Sequence, residues 1–192
     1  MRLTNLQQFF LQMIQISEHI LLQPILLSDC KELFDLMQHV YPPAYKHFWN
    51  DDCSWYINNQ YSSKNILKEL NQVNSEYYFV VYQGKKVGNF RFVWDEKLNN
   101  LPFKKTVKLH RIYLHKNTQG KGIGKTLLYW LENQAKQKKY DAIWLDAMDK
   151  KHQAFLFYKK LGYTYHSHCY LGFKLLKEEY RKMSQLYKHL CS

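Results

Sequence analysis

Long apolar segments and clustered cysteines are both missing from this chain of 192 residues. A membrane-spanning helix needs roughly 18 consecutive apolar residues, and no such run occurs, so we expect no membrane partner. The cysteines form no C-x-x-C pair and lie too far apart for a disulfide-stapled domain or a cysteine-bound metal. We therefore expect no metal, and a cytoplasmic protein with reduced thiols at Cys30, Cys53, Cys169 and Cys191.

Acidic residues are few, because 28 Lys and Arg residues face 16 Asp and Glu residues, for a formal net charge of +12. The basic residues form no run of five or six, and no known nucleic-acid motif occurs, so nucleic acid is not the expected partner. A basic surface also attracts a small polyanionic ligand. An apolar share of 46% and an aromatic share of 17% exclude a disordered chain.

Cleavage signals, internal repeats and linkers are also missing. The apolar stretch near the start is interrupted by glutamines and lacks a small-residue cleavage site, so we expect no signal peptide. The spacing of apolar residues predicts an extra helix over residues 1–15, which would cover the core or pair with a second subunit in a homodimer. Since no linker divides the chain, we expect residues 1–192 to form one domain of mixed α/β class.

The segment 107–139 is the centre of the predicted fold. Residues 107–114 have the length and composition of a strand, and apolar residues recur at every fourth position after residue 122, which predicts a helix. Between them lie three glycines, which allow the backbone to approach a ligand closely beside the positive end of the helix dipole. The pattern predicts a phosphate site at Gly120, Gly122 and Gly124.

Two motifs identify the ligand more closely. The glycine spacing fits neither the P-loop nor the G-x-G-x-x-G dinucleotide pattern, but Gln119 to Gly124 matches Q/R-x-x-G-x-G/A. Downstream, Ala154 to Tyr163 is similar to A-x-x-F-Y-x-x-x-G-F. With both motifs in this order, the chain resembles the GNAT superfamily of acyl-CoA-dependent N-acyltransferases.

The resemblance implies a fold and a cosubstrate. The fold would be a single α/β domain with a mixed, mostly antiparallel sheet of six to seven strands and helices on both faces. Its central parallel strands, 107–114 and 141–147, would splay apart, and acetyl-CoA would lie in the wedge. Backbone groups of Ile112, Tyr113 and Leu114 would bind pantetheine and the thioester. The pyrophosphate would be held by Gln119, Gly120, Lys121, Gly122, Ile123, Gly124 and Lys125.

Acetyl transfer to an amine requires that the amine lose a proton and that the departing thiolate gain one. Tyr158 matches the family's tyrosine acid, although its helical face is also that of a core aromatic. For the base, alternation along the strand puts Lys108 and His110 on one face, and Lys108 stands where one common version of the family has glutamate. His110 is the candidate base, with Glu76 or a water chain as alternatives.

A second departure from the family is Lys151, where relatives carry an asparagine that contacts the cofactor. Either Lys151 pairs with a phosphate of the cofactor instead, or the contact is missing and Gln153 substitutes in part.

The expected function is an acetyl-CoA-dependent N-acetyltransferase that transfers acetyl directly to a primary amine in a ternary complex. Neither motif contains a cysteine, which argues against an acyl-cysteine intermediate. The acceptor is a small-molecule amine or a protein amine, and residues 62–163 look most like spermidine/spermine acetyltransferases. The alternative is a non-catalytic module that senses acyl-CoA or binds nucleic acid. A polyamine pocket would need acidic residues, for which the candidates are Asp51, Asp52, Glu69, Glu76, Asp95 and Glu96.

Overall fold

A computed structural model describes residues 13–190 of the chain. These residues form one eight-stranded sheet in the order β1-β2-β3-β4-β5-β6-β8-β7. The strands are β1 Ile14–Ser17, β2 Ile20–Pro24, β3 Ser75–Tyr82, β4 Lys85–Trp94, β5 Thr106–Leu114, β6 Ala142–Met148, β7 Thr164–Tyr170 and β8 Lys182–His189. The helices are α1 Cys30–Val40, α2 Pro42–Tyr45, α3 Ser54–Gln60, α4 Ser63–Leu70, α5 Ile123–Gln137 and α6 His152–Lys160.

The sheet is mixed, as the resemblance implied. Strands β5 and β6 are parallel, with a register that runs from Thr106 opposite Ala142 to Leu109 opposite Leu145. All the other neighbouring strands pair antiparallel. The predicted α/β fold with a central parallel pair is therefore confirmed.

The strand count was wrong by one or two, and β1 is the strand that had no counterpart in the prediction. A helix was expected over residues 1–15, but Ile14–Ser17 pairs antiparallel with β2. Edge pairing satisfies the backbone groups of this short segment, and Ile14 and Ile16 pack against the core. The rest of the predicted helix, residues 1–12, lies outside the described residues.

Helices cover both faces of the sheet, because each face buries its own apolar cluster. On one face α5 packs Ile123 and Leu127 onto Val107 and Leu109 of β5. On the other face α1 to α4 and the turns between them bury a second, aromatic-rich cluster that includes Tyr41. Within residues 13–190 no helix has the length and apolarity to cross a membrane.

A β-bulge interrupts β5 in its middle. Arg91 of β4 pairs with Arg111, but Phe92 pairs with Leu109, which leaves His110 as an extra residue on β5. An extra residue shifts the alternation of side chains by one position. Val107 and Leu109 therefore share a face with Ile112 and Leu114, all against the first cluster. Without the bulge, strict alternation would place Ile112 and Leu114 on the face opposite to Val107 and Leu109.

Candidate active site

The two parallel strands separate at their C-terminal ends and form a wedge. Their pairing ends at Leu109 and Leu145, although β5 continues to Leu114 and β6 to Met148. His115 donates its N–H to the Val87 carbonyl of β4 at 2.7 Å. Because successive N–H groups of a strand point to opposite sides, those of Ile112 and Leu114 point away from β4 and into the wedge. An extended ligand can pair with them there.

The glycine loop leads from the end of β5 into helix α5. Gly120 and Gly122 adopt φ angles of 77° and 75°, in the left-handed region that glycine enters without steric cost. Gly122 is the N-cap residue, and no side chain from the described part of the chain caps this helix end. The first N–H groups of α5 are therefore available to an anion, which the helix dipole also attracts.

Close packing attaches the loop to the wedge. A Cβ atom placed on Gly124 would lie 3.3 Å from the Phe157 ring of α6 and 3.8 Å from a methyl group of Leu114. The start of α5, the end of β5 and α6 thus meet at Gly124. Lys121 and Lys125 are exposed beside the loop and make no ion pair within residues 13–190. Each ammonium group lies over a tyrosine ring, at 5.4 and 5.3 Å from the ring centre, and both side chains remain exposed.

A cavity of about 320 Å³ lies at the mouth of the wedge. It brings together five of the residues that were predicted to act in catalysis or to bind the cosubstrate, which are His110, Ile112, Tyr113, Lys151 and Tyr158. Leu114 and residues 119–125 do not line this cavity but lie at the loop end of the wedge. The opposite wall is aromatic and contains Tyr41, Tyr45, Trp49, Tyr56 and Phe173. These rings also belong to the second core cluster, so they pack the core and line the cavity together.

Tyr158 is both a core residue and a cavity residue. Its side chain is buried, and its ring lies 5.7 Å from that of Tyr163. Burial raises the pKa of Tyr158 above its ordinary value, and the nearby Tyr45 adds to that shift. The phenol is therefore neutral at physiological pH and keeps a hydrogen that it can donate into the cavity.

His110 stands at the bulge with part of its ring exposed to the cavity. Loss of hydration lowers the pKa of His110 well below its ordinary value, and the cations Arg111, Arg91 and Lys108 lower it further. Arg91 Nη1 lies 2.5 Å from His110 Nδ1. Because a guanidinium only donates, Nδ1 accepts, and the neutral ring carries its hydrogen on Nε2.

A buried cluster of charged side chains lies next to the bulge. Glu69 of α4 accepts a hydrogen bond from Arg111 Nη2 at 2.6 Å and lies 3.9 Å from Arg91 Nε. Arg111 also donates to Tyr61 at 3.0 Å, and Arg91 donates to Gln72 at 2.5 Å. These contacts hold both arginines in place against the sheet.

Lys151 already has protein partners. Its ammonium donates to the Ala44 carbonyl at 2.9 Å and lies 5.2 Å from the centre of the Tyr45 ring. Burial lowers its pKa. Lys151 thus connects the start of α6 to the aromatic wall, and its contact with a phosphate stays a prediction.

Asp146 is the cavity residue that the sequence analysis missed. It directly follows Leu145, the last residue of β6 that pairs with β5, and accepts from Lys108 Nζ at 2.9 Å and from Gln185 Nε2 at 3.1 Å. The sequence pattern pointed to β5 for the base and to Glu76 of β3 as an alternative, whereas the cavity carboxylate lies on β6. Glu76, the alternative base, instead accepts hydrogen bonds from Tyr78 and Trp94 and does not line the cavity.

The opened parallel pair and the adjoining glycine loop define a class of α/β fold in which a wedge in the sheet leads to the start of a helix. Comparison with protein families is consistent with this class and with both motifs. A model of the acetyltransferase (GNAT) family matches residues 32–163, more than half of the chain, so the chain belongs to that family. The family resemblance predicted from the motifs is confirmed.

Individual relatives are distant. An uncharacterized N-acetyltransferase in the pepI 3' region of Lactobacillus delbrueckii subsp. lactis is 24% identical over 114 residues, which cover 59% of this chain. The chain spans 66% of that relative's length.

Solved structures of acetyltransferases share the fold. The PaiA N-acetyltransferase of Thermoplasma acidophilum, in complex with coenzyme A, is 18% identical with a TM-score of 0.67, over 88% of this chain and 98% of that one. A chimera of the spermidine N-acetyltransferase SpeG from Vibrio cholerae with hSSAT is 14% identical with a TM-score of 0.64, over 90% of this chain and 96% of that one.

Proposed function

We propose that this protein is an acetyl-CoA-dependent N-acetyltransferase that transfers acetyl directly to a primary amine in a ternary complex. The observation that carries the proposal is the wedge beyond Leu109 and Leu145, with the N–H groups of Ile112 and Leu114 directed into it. The glycine loop lies at one end of this wedge and Tyr158 lines the cavity at its mouth. A cosubstrate with a phosphate end and an acyl-thioester end fits this order of groups.

The strand and the loop would bind the cosubstrate along its length. Pantetheine amides would pair with the backbone of Ile112 and Leu114, next to Tyr113. The pyrophosphate would accept hydrogen bonds from main-chain N–H groups at the start of α5, with Lys121 and Lys125 nearby. This geometry would direct the thioester toward the cavity and leave the aromatic wall for the acceptor.

In the reaction, the amine nitrogen attacks the thioester carbon, the carbon–sulfur bond breaks, and sulfur leaves with the electron pair. The nitrogen loses a proton and the sulfur gains one, so no outside reactant is needed. Tyr158 supplies the O–H that the sulfur requires, since burial keeps its phenol neutral. The base takes the proton that the nitrogen loses, and transfer of a proton from the base back to Tyr158, directly or through water, restores the protein.

Two groups in the cavity are candidates for taking that proton. His110 is neutral because its pKa is lowered, but its Nδ1 accepts from Arg91, so it can take a proton only when this contact is released. The carboxylate of Asp146 can also accept a proton, but one of its oxygens already pairs with the ammonium group of Lys108. We propose that one of these two groups accepts the proton, directly or through water.

The test is incubation with acetyl-CoA and a panel of primary amines, with free thiol measured by a colorimetric reagent and acetylated product by mass spectrometry. We expect thiol and acetylated amine to form in equal amounts. Calorimetry with coenzyme A alone provides the comparison for binding. Tight coenzyme A binding without product across the panel would support a non-catalytic sensor instead.

A further inference from the structure

A second cleft of about 510 Å³ adjoins the cavity, and every described residue that lines it is polar or charged. It is formed by the end of α3, by α4 and by β4, and it shares Gln60 and His110 with the cavity. No residue of the glycine loop lines it. The cleft therefore lies on the acceptor side of His110, apart from the place proposed for the phosphates of the cosubstrate.

More cations than carboxylates line the cavity and the cleft when the two are considered together. The cavity is lined by Lys108, Arg111 and Lys151, and the cleft by Lys68 and Arg91. Among the described residues that line the two spaces, these five cations face two carboxylates, Asp146 and Glu69.

Both carboxylates are already paired, whereas Lys151 and Lys68 have no carboxylate partner within residues 13–190, and Lys151 donates to a backbone carbonyl instead. Asp146 pairs with Lys108 at 2.9 Å, and Glu69 pairs with Arg111 at 2.6 Å. Lys68 is exposed on α4 and makes no ion pair within residues 13–190. The unbalanced charge of the acceptor side is thus positive, and Lys68 carries it at the cleft.

We propose that the acceptor is a primary amine that also carries an anionic group, a carboxylate or a phosphate, a few carbon atoms away. This rests on the proposed function. The amine lies in the cavity beside His110, and the anion lies in the cleft near Lys68. A polyamine would bring its second cation against Lys68 and Arg91, and of the six acidic residues considered for a polyamine pocket only Glu69 lines either space.

Four acceptors of one chain length test the proposal: an ω-aminocarboxylate, an aminoalkyl phosphate, an amino alcohol and a diamine. We expect kcat/KM for at least one of the two anionic amines to be about fivefold higher than for the amino alcohol, because an exposed charge pair contributes about this factor. The diamine should have the lowest kcat/KM. The two anionic amines differ only in the anion, so their ratio shows which anion the cleft prefers. Added salt should reduce the advantage.

Lys68→Gln should lower kcat/KM for the preferred anionic amine about fivefold and leave the amino alcohol unchanged. Lys64→Gln is the matched control, because Lys64 is exposed on the same helix but does not line the cleft. Equal effects of the two variants, or an equal loss for the amino alcohol, would overturn the proposal.

Preference for the diamine or the amino alcohol would also overturn this inference while leaving the acetyltransferase function intact. No transfer to any of the four acceptors would overturn this inference, while the wider panel of primary amines tests the acetyltransferase function separately.

Discussion

Arg91 donates a hydrogen bond from Nη1 to Nδ1 of His110 across 2.5 Å, at the bulge where β5 leaves β6. The contact joins the polar cleft to the aromatic cavity, because Arg91 lines the first and His110 lines both. It determines which nitrogen of His110 carries hydrogen, and it contributes to the lowered pKa of the ring.

The first prediction concerns the pH dependence of the reaction. If His110 must be neutral to take the proton, the acid limb of kcat/KM lies below pH of about 6.5, the ordinary histidine value, because the folded protein lowers this pKa. Arg91→Gln removes one of the cations and should move the limb to higher pH. An NMR titration of His110 in both proteins measures the same shift without turnover. If Arg91→Gln shifts the pKa of His110 measured by NMR but leaves the acid limb of kcat/KM in place, His110 is excluded as the base.

A second prediction separates the two candidate bases. Asp146→Asn should lower kcat/KM about 100-fold if the carboxylate takes the proton, since general-base groups contribute at least this much. If Asp146 only positions Lys108, Asp146→Asn should lower kcat/KM only slightly, and His110→Gln should instead cause the loss of about 100-fold. Asp149→Asn is the control, because Asp149 follows the same strand and pairs with Lys182 at 3.6 Å but does not line the cavity.

A third prediction concerns the departing thiolate. Tyr158→Phe should lower kcat about 100-fold with little change in coenzyme A affinity, because the ring and its packing remain and only the O–H is lost. Tyr163→Phe removes a buried hydroxyl on the neighbouring ring, outside the cavity, and should leave kcat near that of the unaltered protein. Normal turnover by Tyr158→Phe would remove this residue from the mechanism.

A fourth prediction concerns the glycine loop. Gly122→Ala forces a side chain into the left-handed region at φ 75°, at a cost of about 1 kcal/mol, so the loop should relax and the KM for acetyl-CoA should rise about fivefold. Gly84→Ala carries the same strain, also at φ 75°, in the turn between β3 and β4. It should lose similar stability without a change in KM. An equal rise in both variants would show that the loop does not bind the cosubstrate.

A fifth prediction concerns stability. Glu69→Ala should lower the free energy of unfolding by about 3–5 kcal/mol, because it leaves the buried cations Arg91 and Arg111 without their carboxylate. Glu32→Ala removes an exposed partner of Lys86 and should cost at most about 1 kcal/mol. Denaturant unfolding measures both. A small loss at Glu69 would mean that the arginines find other partners.

The strand, glycine loop and helix at residues 107–137 were predictable because their determinants are local. Residue spacing along a short segment sets the period of a helix and the position of a turn, and it does so at α5, Ile123–Gln137. The bulge at His110 was not predictable, because an extra residue in a strand appears only against its partner β4. Strand β1 was missed for a similar reason, since its pairing with β2 outweighs the local helical spacing.

By itself the sequence determined the family, most of the order of the elements and the position of the glycine loop, since each depends on neighbours along the chain. Only the tertiary structure decided which side chains share the cavity. Asp146 meets Lys108 across two strands, and Lys68 and Arg91 come to the same cleft from α4 and β4. Charge balance in a site depends on distances between such remote residues, and these distances are set by the packing of helices on the sheet.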